Sequence, residues 1–136
     1  MLGKREPHIY GTATLSDVEA MCRQRAKTHD LGVTFFQSNS EAEIIELIQD
    51  AVDRASGLII NPAAFTHTSV AILDALKMLT CPIVEVHISN PHRREPFRHR
   101  SYVSQVANGV ICGLGISGYS IAVDAMAKLI EDTSSK

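Results

Sequence analysis

Polar side chains with catalytic potential interrupt and follow an apolar run between residues 81 and 101. Ile83, Val84 and Val86 are β-branched and typical of a buried strand, whereas Glu85 and His87 are polar and would need partners inside one. The basic residues that follow are Arg93, Arg94, Arg98 and Arg100, with His92 and His99 among them. A cation-rich loop over the end of a strand is suited to holding a small anion. The alternative interpretation is a solvated arginine run beside an ordinary surface histidine.

A second polar segment runs from Asn61 to His67 and follows the short apolar run 58–60. Ligands bind at the carboxyl ends of strands in open α/β sheets, and this segment also leads into a predicted helix whose free N–H groups favour anions. Asn61 and His67 can hydrogen-bond hydroxyl or carboxylate groups. Together with His87 and Ser89 they predict a site for a small polar substrate. A pair of ordinary loops is the alternative.

The opening residues carry a third group of reactive side chains, Arg5, Glu6 and Tyr10. A free tyrosine has a pKa near 10 and is a poor base at neutral pH. A close arginine lowers that pKa by favouring the phenolate. Tyr10 therefore becomes a candidate base if this loop brings Arg5 beside it.

The sequence favours neither a bound nucleotide nor a metal. Residues 113–118, GLGISG, fit the GxGxxG pattern, but a dinucleotide site needs a following strand with an acidic residue about 20 residues further on. We therefore predict that these glycines form a tight turn and allow close packing. The histidines show no HxH or HExxH spacing, so a metal site using His67 and His87 is the weaker alternative.

Composition predicts an ordinary globular protein. The chain has 136 residues, 45% hydrophobic and 21% charged, with a net charge of −2, which gives no general attraction to nucleic acid or membranes. No apolar run has the length of a membrane span, and we expect no signal peptide because the opening residues lack a charged-then-apolar pattern. Cys22, Cys81 and Cys112 lie far apart in apolar settings, which predicts buried, reduced thiols in a cytoplasmic protein.

We predict a single domain over residues 1–136, in which helices alternate with the strands of a parallel sheet. Capping residues and apolar periodicity predict four helices. They are a helix headed by Thr14 and running to about Ala26, and helices over about 41–55, 68–79 and 117–130. Four strands are visible, over 33–37, 58–61, the run opened by Pro82, and 109–112. Residues 1–13 are expected to form a loop and residues 132–136 a polar tail.

Five segments, taken together, resemble the type II 3-dehydroquinate dehydratases. They are LGKREPHIYG, QSNSEAEII, IINPAAFTHTSVAILDAL, PIVEVHISNPHRREPFRHRSY and GVICGLGISGY. THTSVA and EVHISN are the most specific of the matches. The resemblance implies a flavodoxin-like three-layer sandwich with a parallel sheet, and a homo-oligomer, a dodecamer built from trimers. It also implies a first strand ending in an asparagine-rich turn, which we expect to lie upstream of the printed residues.

The resemblance further implies a reaction, the conversion of 3-dehydroquinate to 3-dehydroshikimate without a metal or cofactor. The step would be an anti-elimination through an enolate, serving the shikimate pathway to aromatic amino acids or quinate catabolism. Tyr10 would be the base, on a mobile lid formed by residues 1–13. Arg5 would lower the pKa of Tyr10 and stabilise negative charge. His87 would be the general acid, with Glu85 orienting it.

Binding residues are implied in the same way. They would be Asn61, His67, Asp74, Ile88, Ser89 and Arg98, with Ile88 and Ser89 acting through their backbone and Asp74 reaching the site of a neighbouring subunit. Glu6 and Arg94 would support the site. Two alternatives stay open: a non-catalytic flavodoxin-like subunit that binds a small ligand or serves assembly, and a metal-dependent hydrolase that uses His67 and His87.

Overall fold

A three-stranded parallel sheet lies at the centre of the fold, in the strand order β1-β2-β3. The computed structural model describes residues 14–63, 65, 68–90 and 101–134. The strands are β1 (Leu58–Ile60), β2 (Ile83–His87) and β3 (Gly109–Cys112). The helices are α1 (Leu15–Lys27), α2 (Glu41–Ala51), α3 (Val70–Leu76) and α4 (Ser117–Ser134), with a short 3-10 helix at Val103–Gln105.

Helices cover both faces of the sheet, because successive residues of β2 point to opposite sides. Ile83 packs with α2, α3 and the 3-10 helix, whereas Val84 and Val86 pack against α4. Helix α1 lies beside α4 and buries Val18, Cys22 and Ala26 there. These three layers confirm the predicted α/β sandwich. All five residues of β2 are buried, so its polar side chains lie inside the protein.

Local sequence signals predicted the helix starts well. Thr14 accepts a hydrogen bond from the N–H of Asp17, and the Asp17 carboxylate accepts one from the N–H of Thr14, which is the expected capping box. Ser40 caps α2 by accepting from the N–H of Glu43. Ser69 caps α3 by accepting from the N–H of Ile72, so this helix begins two residues later than predicted. Each capping oxygen satisfies an N–H that has no partner within its own helix.

The predicted strand at 33–37 is wrong. Its side chains alternate as a strand requires, with Val33 and Phe35 half-buried while Thr34 and Phe36 are exposed. The backbone, however, belongs to no ladder among the described residues, since β1 pairs with β2 alone. The Val33 carbonyl instead accepts a hydrogen bond from the Arg23 guanidinium at 2.6 Å. The alternation of half-buried and exposed side chains is that of a strand, but a strand also needs a neighbouring strand with which its backbone can pair.

Three helix ends differ from prediction. Helix α2 ends at Ala51 and α3 at Leu76, both earlier than expected. Helix α4 continues to Ser134 through most of the predicted polar tail. The extension is held by an ion pair between Lys128 and Asp132 at 3.5 Å, and the Thr133 hydroxyl donates to the Leu129 carbonyl at 2.9 Å. These i,i+4 contacts stabilise a helix end without an apolar face.

All three cysteines are free, but only Cys22 is fully buried, whereas Cys81 and Cys112 are half-buried. Burial raises the pKa of each thiol, with Glu85 adding a smaller effect at Cys112. Within the part of the chain that the structure describes, no helix is long and apolar enough to cross a membrane.

Candidate active site

A carboxylate and an imidazole lie together at the carboxyl end of the central strand. Glu85 and His87 are two residues apart on β2, so both project from the same face of the sheet. Glu85 is fully buried and His87 is 8% exposed. The His87 Nε2 atom hydrogen-bonds Glu85 Oε2, so the strand supplies each polar group with a partner. The sequence predicted that a partner was needed, and the structure identifies it.

Two serines that the sequence analysis missed also hold Glu85. Ser101 Oγ donates to Glu85 Oε2 at 2.8 Å, and Ser104 Oγ donates to Glu85 Oε1 at 2.6 Å. Ser101 Oγ in turn accepts from the backbone N–H of Ser104 at 3.1 Å, which fixes the Ser101 side chain beside the 3-10 helix. Both carboxylate oxygens are therefore engaged, which a buried charge requires. The only sequence signal was the S-x-x-S spacing after the basic segment.

Asn61 lies at the end of β1, next to the end of β2. The register pairs Ile60 with Glu85, so the chain leaves β1 beside the Glu85–His87 pair. Asn61 Oδ1 accepts from the N–H of Ala63 at 3.0 Å, and Asn61 Nδ2 donates to the Tyr119 hydroxyl at 2.8 Å. These two bonds set which way the amide faces. Tyr119 comes from the first turn of α4 and was not predicted.

The glycine turn, residues 113–118, contacts the segment 87–90, which is formed by the last residue of β2 and the three residues after it. The N–H of Gly113 donates to the carbonyls of His87 and Ser89 at 3.2 and 3.1 Å, and the N–H of Gly115 donates to the Ile88 carbonyl at 3.0 Å. Gly113 and Gly115 have φ values of 82° and 62°. The prediction of a tight, close-packing turn is confirmed. The N–H groups of Gly113 and Gly115 therefore already donate hydrogen bonds within the chain.

The other predicted residues fall into two groups. Asp74 is exposed on the outer side of α3, while Ile72, Leu73, Ala75 and Leu76 face inward. Its side chain therefore lies outside the buried environment that Glu85 and His87 share. Arg5, Glu6, Tyr10, His67, Arg94 and Arg98 lie outside the described residues. Among residues 14–63, 68–90 and 101–134, no three histidine, cysteine or acidic side chains are grouped so that they could hold a metal ion.

Sequence comparison places the chain beside a known group of enzymes. The profile of the family described as Dehydroquinase class II matches residues 1–127. A 3-dehydroquinate dehydratase of Actinobacillus pleuropneumoniae is 56% identical over 124 residues, which cover 91% of this chain and 80% of the relative. A protein named 3-dehydroquinate dehydratase 2 from Agrobacterium fabrum is 54% identical over 134 residues, covering 98% of this chain and 91% of the relative.

Solved structures agree in fold. The type II dehydroquinase of Propionibacterium acnes superposes with a TM-score of 0.89 at 44% identity, covering 93% of this chain and 88% of that one. A 3-dehydroquinate dehydratase-like protein from Bifidobacterium longum gives a TM-score of 0.72 at 36% identity, covering 86% of this chain and 89% of that one.

Proposed function

The chain belongs to the class II dehydroquinase family, and from that premise we propose how its strand-end residues act. It is a lyase that dehydrates 3-dehydroquinate to 3-dehydroshikimate, the function for which its relatives are named. The observation that carries the proposal is the buried Glu85–His87 pair at the carboxyl end of β2. A proton-transferring imidazole oriented by a carboxylate is a recurrent arrangement for acid–base catalysis.

The reaction is an anti-elimination in two proton transfers. Tyr10 as phenolate removes the acidic proton next to the ketone, and the electron pair passes to the carbonyl oxygen as an enolate. Arg5 lowers the pKa of Tyr10 and stabilises that negative charge. The enolate then re-forms the ketone, the carbon–oxygen bond of the leaving hydroxyl breaks, and His87 donates the proton that makes the departing group water. The product is a conjugated enone.

The Glu85–His87 pair suits the acid role. Glu85 accepts from His87, Ser101 and Ser104, so its two oxygens are fixed and the imidazole is held in one orientation. An imidazole fixed in orientation is suited to proton donation, because general acid catalysis requires the donor to lie within hydrogen-bond reach of the leaving group. The mechanism requires no cofactor, because the ketone itself activates the proton that is removed.

Substrate binding is assigned to groups around the two strand ends. Asn61, His67 and Arg98 bind the hydroxyls and the carboxylate, and the backbone of Ile88 and Ser89 also binds the carboxylate. Glu6 and Arg94 support these groups. The fixed amide of Asn61, held by Ala63 and Tyr119, favours such a role because it enters the reaction already oriented.

Asp74 acts in the site of a neighbouring subunit. Its exposure on the outer side of α3 supports this assignment, since an exposed carboxylate is free to meet another copy of the chain. We accordingly propose a homo-oligomer, a dodecamer built from trimers, acting in the cytoplasm in aromatic amino acid biosynthesis.

The two proton transfers can be tested separately. In deuterated water, His87→Ala should still exchange the proton next to the ketone through the enolate, while product formation falls by about 10²- to 10⁴-fold. Tyr10→Phe should lose both exchange and product formation. Mass spectrometry of recovered substrate and the absorbance of the enone measure the two steps. A Tyr10→Phe enzyme with full turnover would overturn the assigned base, and a fully active His87→Ala enzyme would overturn the assigned acid.

A further inference from the structure

The glycine turn determines where the backbone N–H groups after β2 point. His87 is in register with Cys112 of β3, and its carbonyl accepts from Gly113 on that side. In a trans peptide the carbonyl of one residue and the N–H of the next point in opposite directions, and no described peptide bond is cis. The N–H of Ile88 therefore points away from β3. Since β2 lies between β1 and β3, it points toward the β1 side.

The same reasoning applies to the next peptide. The Ile88 carbonyl accepts from the N–H of Gly115 at 3.0 Å, so the N–H of Ser89 points away from the glycine turn. The N–H groups of Ile88 and Ser89 therefore both point away from the glycine turn, because the carbonyl on the opposite edge of each peptide is hydrogen-bonded to that turn. Oriented N–H groups of this kind form an anion-binding concavity.

Two backbone features explain why glycine occupies positions 113 and 115 of the glycine turn. Gly113 has a φ of 82°, and a Cβ placed there would lie 3.0 Å from the Cβ of Asn90, so a side chain would push on the segment that the turn holds. Gly115 has a φ of 62° with no atom within 4 Å of an added Cβ, so only its backbone angle disfavours a side chain.

We infer that the glycine turn is a positioning element for substrate binding: by holding the carbonyls of residues 87–89, it presents the N–H groups of Ile88 and Ser89 to the substrate carboxylate. The inference rests on the proposed function, which assigns the carboxylate to these N–H groups. It also gives a role to the glycines of the GxGxxG pattern.

The test compares ligands with and without the carboxylate charge. Calorimetry with 3-dehydroshikimate and with its methyl ester gives a ratio of affinities for the wild-type enzyme. Gly113→Ala should lower that ratio by about tenfold, the loss expected for a weakened hydrogen bond to a charged group. The KM for 3-dehydroquinate should rise by a similar factor, with a smaller change in kcat. Gly109→Ala, at the opposite end of β3, is the matched control because no atom lies within 4 Å of the added carbon, and it should keep the wild-type ratio.

A folded Gly113→Ala enzyme that keeps the wild-type ratio would overturn the inference. If that variant does not fold, Gly115→Ala and Gly115→Asn decide the matter, because asparagine adopts a positive φ more readily than alanine. Gly115→Asn should lower the affinity ratio less than Gly115→Ala does. Wild-type ratios in both variants would overturn the positioning role of the glycine turn.

A wild-type enzyme that turns over substrate but binds acid and ester equally would overturn the carboxylate assignment while leaving the reaction intact. A wild-type enzyme without turnover would instead refute the proposed function.

Discussion

A fully buried glutamate is costly unless its charge is matched, and Glu85 shows how this protein meets that cost. His87, Ser101 and Ser104 together engage both of its oxygens. None of these partners is needed to complete the apolar core, which Ile83 and Val103 supply on the same face of the sheet. A buried polar network retained at a strand end is typical of a catalytic site.

Removing the charge of Glu85 should slow catalysis more than it weakens substrate binding. Glu85→Gln keeps the size of the side chain but replaces one carboxylate oxygen with an amide group that donates, so the contacts that orient His87 are weakened and we expect kcat to fall by about 10- to 100-fold with little change in KM. Steady-state kinetics separates the effect on kcat from the effect on KM.

Ser104→Ala provides the graded control. It removes one donor from Glu85 Oε1 and leaves Ser101 and His87 on Oε2, so its effect on kcat should be smaller, and Ser104→Thr should restore most of the activity. A folded Glu85→Gln enzyme with the wild-type kcat would show that Glu85 serves stability alone.

At the level of the secondary-structure elements, helix α4 contacts the sheet closely because Gly57, just before β1, has no side chain. A Cβ at Gly57 would lie 2.2 Å from the sulfur of Met126, which is buried against Val84 and Val86. Methionine is flexible, but its neighbours leave it little room to move.

Gly57→Ala should therefore destabilise the protein by about 1–3 kcal/mol through overpacking. Gly32→Ala is the control, since no atom lies within 4 Å of its added carbon, and it should change stability by less than about 0.5 kcal/mol. Urea unfolding measures both. A Gly57→Ala protein as stable as Gly32→Ala would show that Met126 repacks at no cost.

Helices α1 and α4 are also joined by an ion-pair cluster at the surface. Asp124 Oδ1 lies 2.6 Å from Arg25 Nε and 2.7 Å from His29 Nε2. A hydrogen bond from Arg25 and a weaker contribution from His29 hold the pKa of Asp124 below its usual value. Because the folded-state pKa is below the unfolded one, this cluster stabilises the fold above about pH 4 and loses that effect as the pH falls through the folded pKa.

Asp124→Asn should accordingly lower the melting temperature by about 2 °C near neutral pH, in line with a partly exposed ion pair. The difference from wild type should shrink as the pH is lowered below about 4. Asp50→Asn, which changes an exposed carboxylate on α2 with no ion pair among the described residues, is the matched control and should leave the melting temperature nearly unchanged. A difference that stays constant down to strongly acidic pH would show that the charge of Asp124 is not its source.

The elements differ in how far sequence alone predicts them. Helix starts were predictable because a cap such as Thr14 with Asp17 is complete within four residues. The 33–37 segment was not, because its alternation is local while a ladder depends on a distant strand. The contacts of Ser104 with Glu85 and of Tyr119 with Asn61 join residues 19 and 58 positions apart, and no spacing rule anticipates them.

At the level of the whole molecule, the fold brings four separate segments to one end of the sheet. The ends of β1 and β2, the serines beside the 3-10 helix and the glycine turn before α4 all meet there. The carboxyl end of a parallel sheet is the expected place for a ligand in this architecture. Asp74 is exposed on α3, which is consistent with the proposal that it acts in the site of a second copy of the chain.

One measurement tests the central claim most directly. The purified protein is mixed with 3-dehydroquinate in the presence of a chelator, and the ultraviolet absorbance of the conjugated enone is followed with time. We predict an absorbance increase whose rate saturates with substrate, persists with the chelator and is lost in the His87→Ala variant. A folded wild-type protein that binds 3-dehydroquinate by calorimetry but gives no absorbance increase would contradict the assigned lyase activity and favour a binding subunit.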